Sequence, residues 1–347
     1  MRAVVYRGER DVRVEDVPAP ALVEPDDVIV KVSKTAICGS DLHFYHGRLP
    51  GLFEGSTVGH EFVGTVVSTG ADVARFREGD EVVGSFQIAC GACAACRAGR
   101  FNHCDDLAVL GYGVFVGDLG GAQAEYVRIP HGDVNLMAIP AGLDPERALF
   151  TGDILTTAWY AAGIAPVTEG DDVVVVGAGP VGLFSVLAAR ALGAGRVIAV
   201  DMVPSRLALA TELGAVGING NERSPTVAVE ETFGRMADVV IETVGMPPAL
   251  LTATECVRPG GTVSVIGVHN EFEFPLPLGT LFRNSVTLRF GGPCNVQGWW
   301  ERALDAVVSG SVDPTAIISH RMPLEEAAEG YRLFDAKEAS KVVLEVS

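Results

Sequence analysis

The chain has 347 residues, which at roughly 150 per domain suggests two domains. Its 26 Lys plus Arg against 44 Asp plus Glu give a net charge of −18, which excludes the basic patch that nucleic acid or an anionic membrane surface demands. With 48% hydrophobic and 20% charged residues it can bury a sizeable core, so it is not a disordered chain.

The first ten residues, MRAVVYRGER, reach charge without an apolar signal core, so a cytoplasmic protein is expected. From 1 to about 150 the chain reads as short strands broken by Gly, Pro and Asp: RAVVY, VIVKVSKTAIC, EFVGTVVST and EVVGSF. Within this β-rich part lie three scattered ligand-type positions. Cys38 is in ICGSDLH, His60 and Glu61 are in VGHEFVG, and Asp153 is in FTGDILTTAWY. Taken singly, each is ambiguous, and a lone Cys or His is a satisfied core residue more often than a ligand.

Cys90, Cys93, Cys96 and Cys104 form a tighter pattern. Two-residue spacings let thiolates converge on one tetrahedral ion, and the last can close the shell across a loop. Four thiolates with no open position point to structural zinc, ahead of an iron–sulfur cluster or a redox dithiol. His103 reads as a surface neighbour. An odd count of seven cysteines fits reduced thiols better than a disulfide framework, and Cys256 and Cys294 read as packing residues.

From about 170 the texture changes to apolar strands alternating with helices: DVVVVGA, then LFSVLAARALGA; RVIAVD, then PSRLALATELGA; MADVVIETV, then PALLTATECV; and GTVSVIGV. That alternation predicts a doubly wound parallel sheet. The uncharged run between Asp172 and Arg190 is too short and too rich in glycine for a membrane span. Gly177-Ala-Gly179-Pro180-Val181-Gly182 stands between the first strand and its helix. Gly177 permits the turn, Gly179 admits a pyrophosphate, and Gly182 allows close packing at a helix N-terminus that favours phosphate. Asp201 ends the next strand, where a carboxylate bonds ribose hydroxyls and repels a 2′-phosphate. This predicts a Rossmann domain that prefers NAD; the plain alternative is a glycine turn with Asp201 as a helix cap. Glu242-Thr243-Val-Gly245 and Gly267-Val268 end later strands, where open α/β sheets hold ligands. The tail reads as a helix from Trp299, a second helix from Leu324 and a closing strand, KVVLEV.

Together, CGSDLH, GHEFVGTVVSTG, the four-cysteine lobe, the Gly-rich turn and the closing strand resemble the zinc-containing medium-chain dehydrogenases/reductases, the alcohol dehydrogenase superfamily, over essentially the whole chain. The resemblance implies an α/β protein in two parts. A GroES-like catalytic domain would take 1–153 and 290–347, with a zinc lobe at about 88–106; a Rossmann domain would take 154–289. It implies two Zn2+ per chain, the catalytic one on Cys38, His60 and Asp153, with Glu61 behind or transiently on it. Three protein ligands leave a fourth position for an alcohol whose pKa the metal lowers, and hydride then passes to NAD. Ser40 would receive the alcohol proton and His43 would release it. Arg206, Thr243, Gly267 and Val268 would join the Gly-rich turn in binding the cofactor, with Lys341 near its pyrophosphate. An Asp as third ligand resembles the bacterial secondary-alcohol and formaldehyde-dehydrogenase branches, which makes polyol or amino-alcohol (sorbitol- or threonine-type) oxidation the alternative to a small alcohol, aldehyde or ketone. Relatives are dimers or tetramers, so a homo-oligomer is expected, with VTLRF at 286–290 as an interface strand. Trp159 and Phe115 are candidates for the substrate pocket, with core packing as the default.

Overall fold

A computed structural model describes residues 1–49, 51–269, 271 and 273–347. It divides into two units, one formed by Met1–Asp153, Asn295–Val308 and Asp313–Ser347, the other by Ile154–Cys294 and Ser309–Val312. The first unit's leading segment ends at Asp153. The return comes after Cys294 instead of after 289, because Phe290 still ends a strand of the second unit and the Gly291 N–H donates to Val265 O at 2.8 Å. No described helix is long and apolar enough to cross a membrane.

In the first unit the strand Val28–Ile37 is the centre of a seven-stranded sheet. Alternating buried positions, among them Val28, Val30 and Val32, put its apolar face into a core shared with Phe44, Phe62, Tyr331 and Leu344. Antiparallel partners flank it: Glu61–Thr69, with Glu61 opposite Ala36, and Val342–Glu345, with Val342 opposite Ile37. Thus residues remote in sequence, Glu61 and Lys341, arrive at one end of one strand. The tail helices expected from Trp299 and Leu324 form as Val296–Val308 and Ala327–Asp335.

The second unit holds six parallel strands in the order Val216–Asn219, Arg196–Asp201, Asp172–Val176, Ala237–Glu242, Val257–Val265, Thr287–Phe290. The Asp172–Val176 strand is buried at every residue, which is why it reads as a continuous valine run and not as an alternating one. Four of the helices begin with proline at the first turn: Pro180, Pro204, Pro225 and Pro247. There its fixed φ suits the helix and its missing N–H loses nothing. The strand order reverses between Asp172–Val176 and Ala237–Glu242, the switch point where such sheets take ligands.

Candidate functional site

Among the described residues, two groups of potential metal-ligand atoms lie within 4.8 Å of one another: Cys38, His60 and Asp153, and the four lobe cysteines. The first group sits at the buried end of the first unit's sheet. Cys38 follows the strand Val28–Ile37, His60 precedes the strand Glu61–Thr69, and Asp153 follows a short turn, Leu149–Gly152. Cys38 Sγ lies 3.4 Å and His60 Nε2 3.2 Å from Asp153 Oδ2. Burial, then the carboxylates of Asp153 and Glu61, push the Cys38 thiol up to about 11. Anionic donors crowded into an apolar interior repel one another, and a cation between them removes the conflict. One sulfur, one imidazole and one carboxylate suit zinc with a position left open.

A second layer steers these ligands. Asp41 is fully buried on the short helix Asp41–Tyr45, its Oδ1 3.2 Å from His60 Nδ1 and its Oδ2 accepting from the Cys38 N–H at 2.9 Å. Gln123 Nε2 reaches the same Oδ2 at 3.3 Å. A carboxylate on one imidazole nitrogen turns the other toward the metal position. Asp41 stands within CGSDLH, between the candidate ligand Cys38 and His43, and nothing in that motif alone marks it beyond being a carboxylate one helical turn past Cys38, able to receive that residue's N–H.

Ser40 Oγ lies 3.3 Å from His60 Nε2, so this hydroxyl faces the metal position. Burial first, then Arg48 and His46, hold the half-buried His43 below its ordinary value. His46 is bonded to Asp335 at 2.8 Å. Lys341 requires a correction. Expected near a pyrophosphate, it is fully buried, its ammonium paired with Glu61 Oε2 and donating to Ile37 O at 2.8 Å. The register of the closing strand gives it this place. Burial pushes Glu61 up to about 7, with the Lys341 charge pulling the other way.

In the lobe, backbone N–H groups point at the sulfurs. Cys90 Sγ accepts from Cys93 N and Cys93 Sγ from Cys96 N, both at 3.4 Å, and Cys104 Sγ accepts from Cys90 N at 3.2 Å. Such bonds favour thiolates; those from Asp105 and Cys96 pull Cys93 down to about 6. Four converging sulfurs with donors behind them fit a closed zinc site.

The Gly-rich turn is in the second unit. Gly177 has φ +98°, and a Cβ there would lie 2.6 Å from Val244 Cγ2. A Cβ on Gly182 would overlap the Gly177 carbonyl oxygen, whereas Gly179 faces open space with only Arg206 Nη1 at 4.0 Å. The strand end and helix start thus press together while the middle glycine is left approachable, as a pyrophosphate needs. Pro180 and Val181 open the helix Pro180–Ala191. Asp201 Oδ2 accepts from Ala178 N at 2.7 Å, and its Oδ1 from Met202 N and Val203 N at 2.7 and 2.9 Å. It therefore ties the turn to the end of its own strand, with Arg206 4.0 Å away. The Thr243 hydroxyl donates to the Val176 carbonyl at 3.0 Å, so its hydrogen is already engaged and its oxygen can only accept from a ligand. Val268 is exposed beside Gly267, whose backbone packs on Gly245. Trp159 is core packing in the helix Ile154–Ile164, and Phe115 is exposed.

Comparison with known proteins agrees with this geometry. The sequence matches the alcohol dehydrogenase GroES-like domain over residues 24–141 and the zinc-binding dehydrogenase family over 180–309. A probable zinc-binding alcohol dehydrogenase of Mycobacterium tuberculosis is 41% identical, covering 99% of this chain and 87% of its own. A sorbitol dehydrogenase of Bacillus subtilis is 32% identical, covering 95% and 92%. The solved alcohol dehydrogenase TADH from Thermus sp. ATN1 superposes over 100% of both chains with a TM-score of 0.97 at 46% identity.

Proposed function

The chain belongs to the zinc-containing medium-chain dehydrogenases, and on that premise we propose that it is a zinc- and NAD-dependent alcohol dehydrogenase. It interconverts a small alcohol with its aldehyde or ketone. The observation that carries this is the convergence of Cys38, His60 and Asp153 within 4.8 Å, with the Ser40 hydroxyl 3.3 Å from His60 Nε2. When bound, zinc supplies Lewis acidity toward the alcohol oxygen and the nicotinamide accepts the hydride. The chain's own residues do the remainder. Cys38, His60 and Asp153 hold the metal, and Asp41 fixes the His60 ring. Lys341 balances the charge of Glu61 behind them. Ser40 takes the alcohol proton. His43, kept below its ordinary value, is neutral at pH 7 and able to carry that proton away. The Asp201 carboxylate at the end of the second strand supports NAD over NADP.

Metal analysis is expected to find two zinc ions per chain, and well below two counts against the assignment. NAD should give the higher kcat/KM, and Asp201→Gly should narrow that preference. A wild type that already favours NADP overturns the cofactor assignment.

A further inference from the structure

The strand Ala237–Glu242 ends in an acid, and Glu242 is fully buried, where a carboxylate is unfavourable unless its oxygens are served. Both are. Oε1 accepts from the Val244 and Gly245 N–H groups at 2.7 and 2.8 Å. Oε2 lies 3.2 Å from His269 Nε2, and because a carboxylate only accepts, that nitrogen carries the hydrogen. The Glu242 main-chain carbonyl takes two more, from the Ile266 and Gly267 N–H groups at 2.9 and 3.1 Å. One residue thus holds the loop after its own strand and the loop after the strand beside it, Val257–Val265.

The two loops are pressed together. Gly245 has φ +74°, and a Cβ there would lie 2.4 Å from Val268 O; one on Gly267 would lie 2.1 Å from Gly245 N. On its other side the first loop meets the Gly-rich turn, where a Cβ on Gly177 would come within 2.6 Å of Val244 Cγ2. Turn and loops therefore form one ledge along the strand ends, with Val244 and Val268 exposed on it. Residues 243–246 and 266–269 lie in neither helix nor strand, so bonds such as those of Glu242 decide how firmly they are held. A dinucleotide lies across such a sheet with one half on each side of the switch point. Asp201, on the strand Arg196–Asp201, marks the adenosine side, so the ledge beyond Ala237–Glu242 receives the nicotinamide half.

We propose that Glu242 and His269 are positioning residues for the nicotinamide end of the cofactor. They act through the backbone they hold: carboxylate and imidazole clamp the two loops at the spacing that receives the ring for hydride transfer. The imidazole bond reaches from one loop to the acid beneath the other, so its loss frees the ledge without unmaking the sheet. This deepens the dehydrogenase assignment and rests on it. A supporting shell that lets a site drift by about 1 Å is enough to impair it, even where every contacting group is present.

The test measures dissociation constants of NADH, by its own fluorescence, and of ADP-ribose, which lacks the nicotinamide, by calorimetry. The proteins are the zinc-loaded wild type, Glu242→Gln and His269→Phe. Glu242→Gln keeps an oxygen for the two loop N–H groups and sets an amide donor against His269. His269→Phe keeps a ring and removes the bond. Each variant should bind NADH about 10-fold more weakly and ADP-ribose as the wild type does, with zinc content unchanged. Parallel weakening of both ligands would mark a general loss of structure and overturns the proposal. So does a His269→Phe enzyme that binds NADH as the wild type does, and that variant decides the matter if Glu242→Gln does not fold. A wild type that binds neither NADH nor ADP-ribose overturns the NAD assignment as well.

Discussion

Asp41 holds two metal-ligand residues with one carboxylate, the Cys38 backbone through Oδ2 and the His60 ring through Oδ1. Replacing it with Asn keeps the shape and removes the charge that sets the His60 tautomer. Asp41→Asn is expected to weaken retention of the catalytic zinc about 10- to 100-fold, read as zinc lost to a chelator, with the lobe zinc unaffected. The candidate ligands were legible because they fall in dense motifs around Cys38, His60 and the lobe. Asp41 was not, since the part of its role that marks it out, its contacts with His60 and Gln123, depends on strands that only the fold brings together. Lys341 shows the same limit more sharply. A lysine in a closing strand reads as solvated or as a phosphate contact, and nothing local announces a carboxylate 280 residues away.

The central strands of the second unit were readable because burial on both faces demands unbroken apolar runs, and four of the helices that follow its strands open with a proline in the first turn. What local pattern did not reveal is how its sheet is tied at the other end. There Asp172 and Asp238 are bound by Arg196, Arg235 and Arg258. Hydrogen bonds from Arg235, then Arg258, hold Asp238 well below the usual carboxylate range. A carboxylate lowered in the folded state contributes stability that is complete above its unfolded value near 3.9 and is lost as pH falls through the folded one. Asp238→Asn should therefore cost about 2 kcal/mol at pH 7, with the gap to wild type closing below about pH 4 in thermal melts. A gap that stays constant down to pH 2 would show that the ion pair is not its source.

At the scale of the molecule, the strand Thr287–Phe290 forms one edge of the six-stranded sheet, with a partner strand on one side only among the described residues. Phe290 is 62% exposed, and Leu278 and Phe282, on the helix Leu278–Arg283, are 69% and 88% exposed. An unpaired edge beside large apolar side chains is a site for pairing with another chain. We propose this edge as the pairing surface of the homo-oligomer that the family resemblance leads one to expect. Phe290→Asp should shift the mass measured by light scattering toward the monomer while sparing zinc content; an unchanged mass would move the interface elsewhere. The two-unit division was legible from the change in strand texture near 150 and 170. The return point was not, because residues 290–294 carry no periodic signal and are held by single hydrogen bonds such as Tyr160 Oη to Gly291 O.

The pairing of Val342–Glu345 with Val28–Ile37 also sets a schedule. Glu61 leaves the ribosome 280 residues ahead of Lys341. At ~5–20 residues per second, that is a delay of roughly 14–60 seconds. Throughout it the nascent sheet lacks both a strand and the counter-charge of an acid it is meant to bury. Until the closing strand docks, the incomplete chamber is a place where the growing chain stays open to water, to stray metal ions and to chaperones.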